Sequence, residues 1–189
     1  MRALITFLAT ALLSVPLAAG PAAGQDPGTT PEGDSAVETA VRDELMAHFD
    51  VSMRKFIALA NAMPADRYTW SPGEGVMEVG QVYMHVARYN YMYPSGSLGV
   101  TLPDGVMLDG MEAERDKETV IRALEDSREW VKRHVAGMSA QDLAATTTLY
   151  GRDVPGWAVL VQLVSHMNEH LGQSIAYART NEVVPPWSR

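Results

Sequence analysis

The stretch GWAVLVQLVSHMNEHLGQSIAYART, residues 156–180, decides the fold. Val159, Leu163, His166, His170, Gln173 and Tyr177 recur in it at spacings of three and four. At about 100° per residue these positions fall on one side of a helix, and the spacing predicts a helix over 156–180. Val159 and Leu163 mark that side as core-facing, which turns two imidazoles inward with them.

Three more segments carry the same period. Val37, Val41, Leu45, Phe49, Met53, Phe56, Ala60 and Met63 predict a helix over 36–63, closed by Pro64. Ser35, with Glu38 three residues on, offers a capping box at its start. A second helix is expected over 78–91, on Val82, His85, Val86 and Tyr89, with Pro94 and the glycines after it breaking the chain. The third spans 117–136 on Val120, Leu124, Val131 and Val135. Tyr68 and Trp70 are candidate anchors of the loop between the first two. Residues 98–110 show no period and read as a loop, and Thr146–Tyr150 as a short extended segment before a turn at Gly151. Four amphipathic helices without strong strands define an all-α class, a four-helix bundle with long irregular loops over 36–189.

The N-terminus has a different character. Arg2 precedes an apolar run from Ala3 to Leu13, and small residues close the segment at Ala22, Ala23 and Gly24. This pattern describes a signal peptide over 1–24, with export to the periplasm or the outside. The run falls short of the roughly 20 apolar residues of a membrane span, so no stable span is expected after cleavage. Residues 25–35, rich in Pro, Gly and Thr, read as a flexible leader.

Composition narrows the chemistry. The 189 residues suit one domain, 47% of them are hydrophobic, and the formal net charge is -8. An acidic chain with no Lys/Arg run argues against nucleic acid as a partner. No cysteine is present. A disulfide framework, a thiol nucleophile and a thiolate ligand are therefore excluded, and any metal must be held by histidine, carboxylate and water.

Two buried imidazoles need partners, because an unpaired buried polar group costs roughly 2–7 kcal/mol. A metal would satisfy both, with a third ligand from another helix. His85, among Val82, Val86 and Tyr89, is the first candidate, and His48, at the margin of the first apolar arc, the next. His134, beside Lys132 and Arg133, reads as a surface residue near a helix end, where a cation suits the dipole. Hydrogen-bonded core histidines are the alternative. The sequence HMNEH lacks the glutamate that directly follows the first histidine in HExxH, so no zincin-type base is implied. Gln173 is placed either to orient a ligand or metal-bound water or to make a plain buried hydrogen bond, and Tyr89 and Tyr177 either to line the same cavity or to sit in the core with the hydroxyl at its edge. Asn90, Trp157 and Trp187 read as structural, and the 11 methionines as core filler.

The segments AMPADRYTWSPGEGV, EVGQVYMHVARYN and LVSHMNEHLGQSIAYART, with the VVPP that follows, resemble the DinB-like superfamily of metal-binding four-helix bundles. They cover most of the chain after residue 24, and the last is the most specific. The resemblance implies one divalent metal, zinc or nickel, held by His85, His166 and His170. Some relatives are thiol-dependent transferases or isomerases, and many have no assigned activity. The expected function is therefore an exported divalent-metal-binding protein, a metal-dependent enzyme of hydrolase or thiol-transferase type acting on a small molecule. The alternative is a non-catalytic bundle that binds a metal or small ligand. No residue stands out as the general base: Glu169 lies about 60° around the helix from His166, Glu78 lies two turns before His85 on its face, and either fits a surface position. Self-association as a homodimer through a helix face is left open.

Overall fold

The computed structural model describes residues 32–188, with side chains from Ala36. The expected signal peptide, and the leader up to residue 31, lie outside the described residues. Among those described, no helix is long and apolar enough to cross a membrane.

Four long helices form the body: α1 (Glu32–Ala62), α2 (Val79–Ser97), α3 (Lys117–Val135) and α5 (Gly156–Thr180). α1 packs on α3 and α5, and α2 packs on the same two, so α1 and α2 stand on one diagonal of the bundle. Phe49, Met53, Phe56 and Ala60 of α1, and Met63 just after it, are fully buried, as their spacing predicts. Tyr68 anchors the loop after α1 by donating its hydroxyl to the Ala60 carbonyl at 2.9 Å. At the bundle centre Asn90, 1% exposed, donates to Ser127 Oγ at 3.0 Å and so ties α2 to α3.

Several expectations need correction. α1 is already helical at Glu32, so the position of Ser35 lies inside the helix and not at its start. Val37 is 60% exposed, not core, and Val41 and Leu45 are half-buried. The 31-residue α1 is about 46 Å long at 1.5 Å per residue, and it outruns its shorter neighbours. α2 does not break at Pro94; it continues to Ser97. Proline forfeits a donor but holds φ at a helical value. Pro94 is buried, and its carbonyl accepts from Leu98 N at 3.0 Å, so packing offsets the one bond lost.

A fifth helix, α4 (Ala140–Ala144), was not expected from periodicity. Five residues are too few to show a period, and the helix is held by a capping box between Ser139 and Asp142. The extended segment proves to be a hairpin, β1 (Thr146–Leu149) against β2 (Arg152–Pro155), antiparallel with Leu149 opposite Arg152. Its two turn residues, Tyr150 and Gly151, both take positive φ, 51° and 74°. A two-residue turn of this hand matches the twist of the strands.

Candidate metal centre

His85 projects from α2 and His166 and His170 from α5, two helices that pack directly on each other. One ring nitrogen from each lies within 4.8 Å of the other two. His85 Nε2 and His166 Nε2 are 3.1 Å apart. The spacing of four on α5 sets the second pair, with ring centroids 4.6 Å apart. All three residues are half-buried.

The remaining ring nitrogens are committed elsewhere. His85 Nδ1 is 2.9 Å from Glu112 Oε1, and His170 Nδ1 is 2.8 Å from Gln173 Oε1. A carboxylate and an amide oxygen can only accept, so both Nδ1 atoms carry the proton. That puts a lone pair on Nε2 of both His85 and His170, the state a ligating imidazole needs. Gln173 in turn donates to the Tyr177 hydroxyl at 2.8 Å, and Trp70 packs edge-on to Tyr177 at 5.4 Å. His166 is held by rings instead: Tyr89 stacks on it at 4.4 Å and Tyr93 meets it edge-on at 5.6 Å.

Burial lowers the pKa of His166 to about 3, and the neighbouring His170 and His85 push in the same direction. Burial also lowers that of His85, against the opposing hydrogen bond from Glu112. His166 is therefore a neutral base throughout the physiological range. Farther along the seam the hydroxyls of Tyr93 and Tyr150 meet at 2.5 Å, and Gln162 donates to Tyr93 at 3.3 Å. Burial, then the bond to Tyr150, raises the Tyr93 pKa, so this phenol keeps its proton.

The donor set fits a divalent cation of the zinc class. Zinc–imidazole bonds of about 2.0–2.1 Å place two nitrogens on one tetrahedral ion roughly 3.3 Å apart, close to the His85–His166 spacing. Two imidazole nitrogens face to face at 3.1 Å need a proton or a cation between them.

Residues 48–174, which include all three histidines, match the family model of the DinB superfamily. The chain belongs to the DinB superfamily. Its fold is similar to that of a DinB-like protein from Bacillus cereus ATCC 10987, with a TM-score of 0.66 at 14% identity, over 76% of this chain and 95% of that one. A DinB-like protein from Bacillus subtilis is also similar, with a TM-score of 0.58 at 18% identity, over 75% and 93%. No curated protein matches the chain.

Within this DinB-superfamily bundle the other sequence candidates fall away from the triad. His48 is exposed on α1 and pairs with Glu44 at 3.2 Å. His134, in the last turn of α3, donates from Nδ1 to the Trp130 carbonyl at 2.8 Å. Glu78 is tied to Arg115, and Glu169 faces solvent. The residue that sequence reasoning missed is Glu112, on a 3-10 turn over Met111–Ala113. It lies 27 residues from His85 in a segment without period, and no spacing separates it from Asp109 or Glu114.

Proposed function

We propose that His85, His166 and His170 together hold one divalent metal ion, zinc or nickel, and that the protein is a metal-dependent enzyme of hydrolase or thiol-transferase type acting on a small molecule. The observation that carries this reading is the convergence of three ring nitrogens within 4.8 Å, with the outward Nδ1 of His85 and of His170 each bonded to an oxygen acceptor. Such an ion supplies Lewis acidity, which draws the pKa of a water or thiol toward neutrality. Three protein ligands leave a coordination position open, as catalytic sites do and closed structural sites do not. Glu112 and Gln173 hold their imidazoles in the ligating tautomer and orientation. Tyr89 covers the face of His166 and keeps water from that side. Tyr93 backs the edge of His166, its hydroxyl bonded to Tyr150 and Gln162.

A second reading, a bundle that binds a metal or small ligand without chemistry, is favoured by one feature. Among the described residues the only carboxylate bonded to the triad is Glu112, and it is engaged behind His85. Export to the periplasm or beyond is proposed on the N-terminal pattern alone, as is the absence of a membrane span after cleavage; N-terminal sequencing of the protein from its native compartment checks both. Pairing of two copies through a helix face is open to sedimentation analysis.

Elemental analysis tests the metal. The chain from Gln25 onward, purified without chelator or metal resin, is expected to carry about one zinc or nickel ion, by the three-ligand rule. His166→Ala and His85→Ala are expected to lose it. A folded parent that stays empty after soaking in zinc or nickel would return these histidines to the core. Turnover on ester, amide and thiol-transfer panels, lost on chelation and restored by metal, separates the enzyme from the binder.

A further inference from the structure

The segment 98–116 runs as a strap from α2 to α3, and apolar residues packed on the core and polar ties to α2 both hold it to the body. Its apolar residues Leu102, Val106, Leu108 and Met111 are only half-buried, and Met107 is 75% exposed. A cleft of about 360 Å³ is lined by Arg88 of α2 and by Leu108, Asp109, Gly110, Glu112 and Ala113 of the strap. Two side chains of α2 reach across. Arg88 donates to the Leu108 carbonyl at 3.1 Å and lies 3.7 Å from Glu112 Oε1. His85 donates from Nδ1 to the same Glu112 oxygen at 2.9 Å. Among the triad only His85 has a carboxylate partner; His170 has a neutral amide and His166 has rings.

We propose that Glu112 is a positioning residue for the metal, and that through it the 98–116 strap is coupled to metal occupancy. The inference rests on the metal reading above. A metal on Nε2 draws electron density from the ring and makes Nδ1–H a stronger donor. The carboxylate acts in the opposite direction along the same ring and makes Nε2 a better ligand. An outer partner of this kind is worth about 10–100-fold in metal affinity. Linkage requires the same factor in reverse: whatever the docked strap adds to metal affinity, the metal adds to docking of the strap. The Glu112 contact is thus where the state of the site is transmitted to a loop on the surface.

Zinc affinity by competition with a chromogenic chelator, and amide hydrogen exchange of peptides spanning 104–116 with and without zinc, test the proposal together. In Glu112→Ala zinc affinity is expected to fall about 10–100-fold. Zinc is expected to slow exchange at the Met111 and Ala113 amides in the parent by up to the same factor, and to leave it unchanged in the variant. Glu112→Gln, which keeps the shape and loses the charge, is expected to fall between them and serves if the alanine variant does not fold. Asp104→Asn, a charge change on the same strap at a residue that does not line the Glu112 cleft, is expected to match the parent. Equal zinc affinity in the parent and both Glu112 variants overturns the proposal, as does strap exchange that ignores zinc. A parent that binds neither zinc nor nickel removes the metal reading itself, whereas a parent that binds zinc indifferently to position 112 removes this inference alone.

Discussion

At the scale of single residues, His166 is the group whose surroundings change it most. Burial, then His170 and His85, take its pKa from 6.5 down to about 3. Between those two values the unfolded chain binds a proton that the folded chain excludes. Stability of the metal-free protein is therefore full above about pH 6.5 and falls as pH drops toward 3. His85 shifts in the same direction, with Glu112 opposing. Urea midpoints at pH 7 and pH 5 are expected to fall more in the parent than in His166→Phe, which keeps a ring against Tyr89 and has nothing to protonate. Equal losses in the two proteins would mean that the imidazole is solvated. The pair on α5 was legible from spacing, and the inward face of His85 from its apolar neighbours. Glu112 was not, because a side chain brought in by an irregular loop leaves no periodic trace.

Among the elements, the short ones carry the clearest tests. The Ser139 hydroxyl accepts from Asp142 N while the Asp142 carboxylate accepts from Ser139 N at 2.8 Å. Ser139→Ala is expected to cost about 1 kcal/mol in chemical denaturation, the usual worth of an N-cap. Gly156, the first residue of α5, lies against α4 so closely that an added Cβ would stand 2.7 Å from the Asp142 carbonyl oxygen and 3.2 Å from that of Leu143. Backbone cannot swing aside as a side chain can. Gly156→Ala is expected to destabilise by roughly 1–3 kcal/mol through overpacking, whereas Gly172→Ala, in open space on the same helix, is expected to be neutral or mildly stabilising. A thermal melt in which the two alanines behave alike would contradict this close approach. Pro94 shows the limit of local reading. Proline usually marks a helix end, yet the price of one lost backbone bond is small beside the burial of Tyr91, Tyr93 and Pro94 itself.

For the molecule as a whole, the bundle explains which part of each stripe matters. Leu124 of α3 is fully buried, and Leu124→Ala is expected to cost about 2–5 kcal/mol. Val37, on the same kind of periodic stripe but beyond the packed length of α1, is expected to tolerate alanine within about 0.5 kcal/mol. Comparable losses at both sites would place the start of α1 inside the bundle. Periodicity by itself determined the four long helices, the apolar side of each and the direction in which three histidines turn, because these depend only on 3.6 residues per turn and the exclusion of apolar side chains from water. The tertiary structure alone decided that α2 packs beside α5 and not beside α1, and that His48 points to solvent. It also decided that α1 overruns the core and that Glu112 comes back over His85. These are relations between segments far apart in the chain. They are set by how helix faces and loops pack together, and no local spacing in the sequence encodes them.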